Sequence, residues 1–245
     1  MPRVSGLLGL LVVATPTLAW AQAYEGSACE TTGTAELKGL KVGAKIGSLD
    51  QGITGAFTGW ATSMLAAQGK APPKKAKAAD EDDLNDVQWK YDEWTCMYSP
   101  QRLIDGDPKT AWCEAAEGDG VGEVAVAAVD VKGKVMIWTG FGRSPALYAA
   151  NNRPRKVRVT VLQSRRGGAN QVGTVFAEVK ALAQSETELK DVNDYQELKL
   201  PKVELDEKPL EEYMLAGTFV AIEILSVYPG KKYRDTCISE VGVKP

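Results

Sequence analysis

Lys156-Val-Arg-Val-Thr-Val-Leu162 alternates apolar and polar side chains, with valine at every second position. A period of two sends successive side chains to opposite faces, as a half-buried strand requires. The same texture recurs on both sides of this stretch. Upstream lie residues 123–131 (EVAVAAVDV) and 134–139 (KVMIWT). Downstream lie residues 174–182 (TVFAEVKAL), 195–200 (YQELKL), 219–227 (FVAIEILSV) and 236–243 (TCISEVGV). Turn residues separate the runs, and Gly167-Gly168 reads as a hairpin turn. Repeated short strands without long helices between them predict an all-β sandwich or barrel. Residues 87–245 are enough for one such core.

The texture changes toward the N-terminus. Residues 71–86 (APPKKAKAADEDDLND) carry two prolines, a basic block and an acidic block, and read as a solvated linker. Residues 24–70 are rich in Gly, Ala and Thr and read as a poorly structured arm. Its apolar stretch, residues 53–67, is a candidate short helix weakened by Gly55 and Gly59. Residues 1–23 have the form of a signal peptide: Arg3, then an apolar run from Gly6 to Ala19, too short and too broken by Pro16 to span a bilayer. Cleavage is expected before Gln22 or before Tyr24. No cysteine follows the apolar run closely, so a lipid anchor is not expected, and the mature chain is expected to be secreted, periplasmic or on the cell surface.

Composition narrows the chemistry. The chain has no histidine, which removes Ser-His-Asp and Cys-His nucleophile activation and most zinc sites. A formal charge of −3 gives no argument for a nucleic-acid partner. The cysteines are Cys29, Cys96, Cys113 and Cys237; an even count without C-x-x-C spacing favours disulfides in an oxidising compartment.

The most informative motif runs from Tyr98 to Trp112, with the core Asp105-Gly-Asp-Pro-Lys-Thr-Ala-Trp112, and it has a counterpart in Cys237-Ile-Ser-Glu240. These residues resemble the discoidin-like, or galactose-binding-like, family. A narrower resemblance rests on four blocks: residues 112–123 (WCEAAEGDGVGE), 140–144 (GFGRS), 147–154 (LYAANNRP) and 227–240 (VYPGKKYRDTCISE). Together they are similar to the glycan-binding domain first named for bacterial NAD-glycohydrolase toxins. The resemblance implies a jelly-roll β-sandwich of about eight strands. It covers most of residues 98–245, leaves residues 24–86 aside, and implies no NAD-cleaving domain.

Asp105 and Asp107 flank a glycine turn, and Thr110 adds further oxygens, a donor set of the kind that suits calcium. Many relatives of this fold hold a structural calcium at such a loop. Carried onto this chain, the ligands would be the Arg102 carbonyl, Asp105, Asp107, Thr110, the Ser239 carbonyl and Glu240. The alternative is a loop closed by its own hydrogen bonds. If Thr110 meets Glu240, antiparallel register brings Cys113 opposite Cys237. That pairing, with Cys29–Cys96 beside it, is favoured over the rival Cys96–Cys237.

Arg143, Tyr148, Asn151, Asn152 and Arg153 mix aromatic, amide and guanidinium groups, the chemistry of sugar recognition. Tyr228 and Tyr233 flank the Pro229-Gly230 turn, and one of them is expected to pack beneath it. Trp112 and Trp138 are expected in the core. Carboxylates in residues 80–86 and 114–123 could in principle serve a glycosidase, but charged loop runs are ordinarily solvated. The expected protein is therefore a non-catalytic module without a cofactor, the candidate structural calcium aside. Its expected ligand is a glycan or cell-surface polysaccharide, and a protein partner or an envelope-structural role is the alternative.

Overall fold

The computed structural model describes residues 29, 34–52, 60–74, 81–170, 173–206 and 208–243. The expected signal peptide and most of the basic half of the linker lie outside them. The described elements are β1 (Lys45–Gly52), α1 (Glu81–Thr95), β2 (Trp112–Cys113), β3 (Val124–Ala128), β4 (Val135–Thr139), α2 (Pro145–Ala150), β5 (Arg153–Asn170), β6 (Gly173–Glu188), β7 (Gln196–Glu197), β8 (Leu215–Tyr228) and β9 (Cys237–Val243). Single 3-10 turns sit at Ala35–Leu37 and Pro100–Leu103.

Two antiparallel sheets face each other. One has the strand order β1-β6-β5-β8-β3, the other β2-β9-β4-β7. Alternation supplies the shared core: Ala125 and Ala127 from β3, Val157 and Val159 from β5, and Val220, Ile222 and Ile224 from β8. These meet Trp112, Val135, Ile137, Ile238 and Val241 from the opposite sheet. Trp112 is fully buried and donates its indole N–H to the Ser63 carbonyl at 2.9 Å. The predicted β-sandwich is thus the observed architecture.

The outer face of the five-stranded sheet is buried as well. Val124, Val126, Leu162, Val179, Phe219 and Ala221 point that way and pack with Leu37, Leu40, Ile46, Leu49 and Trp60. Leu162 reaches this face because strand alternation sets it opposite in phase to Val157 and Val159, which point to the other. The described part of the segment expected to be an arm therefore forms a covering layer, while residues 53–59 of the candidate short helix lie outside the described residues. The layer's strand β1 pairs with β6 from Lys45↔Lys180 to Gly52↔Gly173. Past residue 60 it is not helical: Ala61 bridges Ala125, and Thr62 N–H donates to the Val124 carbonyl. The buried Glu123 carboxylate ties the layer down, accepting from Lys38, Thr62 and Ser63 at 2.7, 2.6 and 2.5 Å.

Three local expectations change. Gly167 and Gly168 do not turn; they lie inside β5, opposite Phe176 and Val175. A Cβ on Gly167 would sit 2.9 Å from Leu215 Cβ and from the Phe176 ring, so glycine there admits close packing rather than a reversal. The acidic end of the linker lies in α1, which runs from Glu81 to Thr95, rather than in a solvated linker. Trp138 lies on the outward side of β4: it stacks edge-on with Tyr195 at 5.0 Å and donates to Asn193.

Cys113 and Cys237 are register partners and are bridged; Cys29 is bridged to Cys96. The first bridge spans 124 residues, and on a chain-entropy basis such a link contributes on the order of 4–5 kcal/mol. Trp60→Ala is expected to lower unfolding free energy by about 3–5 kcal/mol, as for other buried aromatic truncations. A chain starting at Val87 should fail to unfold cooperatively, because it loses β1, Trp60 and the partner of Cys96. Denaturant melts of both variants check this; a Val87-start chain as stable as the full chain would show that the covering layer is dispensable.

Candidate functional site

The predicted recognition residues gather at one end of the sandwich, where β4 leads to α2 and β8 returns to β9. Most of them face inward. Arg153 is 8% exposed; it forms a bidentate pair with Asp191, at 3.0 Å through Nε and 2.6 Å through Nη2, and its Nη1 donates to the carbonyls of Asn151 and Pro229. The Tyr148 hydroxyl donates to the same Asp191 at 2.8 Å, with the Arg153 guanidinium 5.1 Å from the Tyr148 ring centre. Burial and the Asp191 bond push that phenol up to about 12. Asn151 donates to the Leu147 carbonyl, and Asn152 bridges Arg234, Asp119 and the Gly230 N–H. Tyr228 donates to the Leu189 carbonyl. Each of these groups has internal partners, so together they form a brace.

What they brace is the turn at residues 229–234. Gly230 lies so close to Ala150 and Asn151 that a Cβ would fall 2.4 Å from the backbone. The amides of Lys231, Lys232 and Tyr233 donate to Ala149 and Ala150 at 2.8–3.0 Å. The turn's backbone is tied down while its side chains point to solvent. Lys231 and Lys232 are exposed, and Tyr233 is 40% exposed with the Lys232 ammonium 4.7 Å from its ring centre.

Beside this turn stands Tyr98, packed edge-on against Phe141 at 6.1 Å over the Cys113–Cys237 bridge. Burial raises the Tyr98 phenol; Asp235 and Tyr233 add to the rise and Arg143 opposes it, so these groups share one neighbourhood. Arg143 is exposed and, among the described arginines, is the one with neither a carboxylate nor an aromatic ring as partner. The geometry therefore keeps Arg143 and Tyr233 of the predicted set on the surface, and adds Tyr98, Asp235, Lys231 and Lys232. The last two were legible as a basic pair directly after Pro229-Gly230.

The acidic loop runs along the outward face of the four-stranded sheet. Asp105 accepts from the Asp107 N–H at 3.0 Å and from the Thr110 hydroxyl at 2.8 Å, and Asp107 accepts from the Lys109 N–H at 3.0 Å. Arg102 also approaches Asp105, at 3.4 Å. Glu240, 5% exposed, accepts from the Gly106 N–H at 2.8 Å. Burial, with Asp105 and Asp107 nearby, pushes the Glu240 carboxyl up to about 8 against the pull of that amide. Ser239 directs its hydroxyl to the Gly140 carbonyl and accepts from the Gly142 N–H. The donors are of the kind calcium favours, but they are turned onto loop amides. Among the described residues no three Asp, Glu, Cys or His side chains converge to hold a metal ion. In the described geometry Asp105, Asp107 and Glu240 each accept a hydrogen bond from an amide of the loop. A cleft of about 540 Å³ lies beside it, lined by Gly106, Met136, Asp194, Tyr195, Glu240 and Val243.

Glu114 is a second buried carboxyl, fully enclosed, accepting from the Thr236 and Ala116 amides at 2.8 and 2.7 Å. Gly120 is required beside it: its φ is +69°, and a Cβ would lie 2.5 Å from the Glu114 carboxyl. Burial pushes Glu114 up to about 7, more than the two amides pull it down.

The fold and the braced turn define a discoidin-like binding sandwich. Residues 87–244 match the NAD glycohydrolase translocation F5/8 type C domain family, and the chain belongs to that family. No curated protein gives a match. Among solved structures, a mutant Ruminococcus gnavus GH29 fucosidase in complex with fucose aligns over 60% of this chain and 22% of its own, at 12% identity and a TM-score of 0.24.

Two outcomes follow. Glu114 sits above its ordinary value of 4.5 in the folded state, so its contribution to stability is present below about pH 4.5 and is lost as pH rises through about 7. The melting temperature should fall across that window, and Glu114→Gln should remove part of the slope; a slope identical in both proteins would show that Glu114 does not titrate there. Melting temperatures in calcium and in chelator should coincide, with Asp105→Ala lowering both equally. A chelator-sensitive melt that Asp105→Ala abolishes would mean the loop rearranges into a metal cage.

Proposed function

We propose that this chain is an exported, non-catalytic binding module that takes a glycan on the surface formed by Tyr98, Arg143, Tyr233 and Asp235. The observation that carries the reading is Arg143, an exposed guanidinium without a carboxylate partner in the neighbourhood of Tyr98. Sugars are held by an aromatic face against the ring and by forked polar groups on the hydroxyls, and this surface offers both. Membership of an F5/8 type C family supports a binding role over a catalytic one. The two disulfides and the signal-peptide form of residues 1–23 support export. Among the described residues no helix is long and apolar enough to cross a membrane.

A glycan array with the full mature chain tests the reading. Arg143→Ala and Tyr233→Ala should each weaken binding at least tenfold, a loss of about 1.4 kcal/mol, and leave the melting temperature within a degree or two, since both side chains are exposed. Arg153→Ala should instead lower the melting temperature, because it leaves Asp191 and the Pro229 turn without their brace. Binding that survives both surface substitutions would place the ligand elsewhere.

A further inference from the structure

We infer that the glycan taken at this surface is acidic, bearing carboxylate or sulfate groups; the inference rests on the binding reading above and names its ligand class. The charge distribution around the turn leads to it. Arg234 is neutralised by Asp119 at 2.9 Å, and the buried Arg153 by Asp191. Arg143, Lys231 and Lys232 are not neutralised: among the described residues no carboxylate lies within ion-pair distance of any of them. Asp235, which shares the Tyr98 neighbourhood with Arg143 and Tyr233, is half-buried, and that burial raises its carboxyl.

Along β5, by contrast, several cations are closely paired. Arg158 lies between Glu186 and Glu223, Lys156 meets Glu186, and Arg166 meets Glu178. The positive excess at the tip therefore sits on a side-chain set whose backbone is fixed by three amide bonds and by Gly230. A rigid turn that holds unpaired cations beside tyrosine rings suits an anion carried on a ring with an apolar face. Such a ligand meets charge-assisted hydrogen bonds and stacking together. A preorganised turn also spares the ligand the ordering cost of a mobile loop.

The experiment uses the full mature chain against polygalacturonate and dextran sulfate as acidic probes, and dextran and neutral galactan as uncharged ones, with phosphatidylglycerol vesicles as a separate arm. The expected result is binding to an acidic glycan at least tenfold tighter than to either neutral one, weakening as salt rises. The double variant Lys231→Gln, Lys232→Gln should weaken binding at least tenfold. Lys199→Gln, Lys202→Gln, which removes the same charge from outside the tip, should not. Equal loss in both double variants would reduce the effect to unspecific ion exchange and overturn the inference. Binding to the neutral glycans alone would overturn it while leaving the glycan reading standing. Binding to vesicles and to no glycan would overturn both.

Discussion

The seating of β2 on β9, fastened by the Cys113–Cys237 bridge, is the constraint from which the rest of the loop end follows. It is a short contact, Trp112↔Ile238 and Cys113↔Cys237, but almost every nearby element is referred to it. Gly140 donates to the Cys237 carbonyl, which fixes where β4 ends and residues 140–144 begin. Glu114 and Thr236, the next residues out, exchange a bond from the Thr236 amide, and Asn152 forms a parallel bridge to Thr236. Tyr98 and Phe141 pack over the sulfur atoms. Without this clamp, the connections that carry the tip would have no common reference.

The tip divides labour between buried and exposed polar groups. A low dielectric makes an unpaired buried group costly, so the buried Arg153, Tyr148, Asn151 and Asn152 all keep internal partners, the first two through the exposed Asp191. Such a network specifies geometry and offers little to a ligand. The groups left to recognise something are those the network pushes outward. Loops on a rigid scaffold commonly carry function in this way, and here the scaffold itself is polar.

Legibility in the sequence followed the physics of each feature. Strand alternation is local, so β3, β4, β5, β6, β8 and β9 could be read directly, and register arithmetic from Thr110 and Glu240 led to Cys113 opposite Cys237. The covering layer could not be read that way. Leu37, Leu49 and Trp60 are sparse among Gly, Ala and Thr, and their burial depends on a sheet built from residues far along the chain. The better clue lay in β8 itself: Phe219-Val-Ala-Ile is apolar without alternation, which says that both faces of that strand are buried. The site was legible in composition but not in direction. Residue type marked Arg143 and Arg153 alike; only the placement of Asp191 separates the brace from the binding surface. Trp138 is a related case: its residue type suits a core, but its place in β4 puts it on the outward face that Met136 shares.

The order in which the chain is made has a consequence for its oxidation. Strand β1 must wait for β6, and the covering layer for β3 and β8, all of which are synthesised later. Pairings of this span are slow to close, and their apolar partners stay exposed meanwhile. Cys29, Cys96 and Cys113 have all emerged more than a hundred residues before Cys237 (the separation from Cys113 alone is 124). For that interval three thiols compete for one bond, and two of the three ways of joining them are non-native. A bond made early from Cys113 to Cys29 or Cys96 has to be opened by thiolate attack before Cys113 can join Cys237, whereas an early Cys29–Cys96 bond can stand.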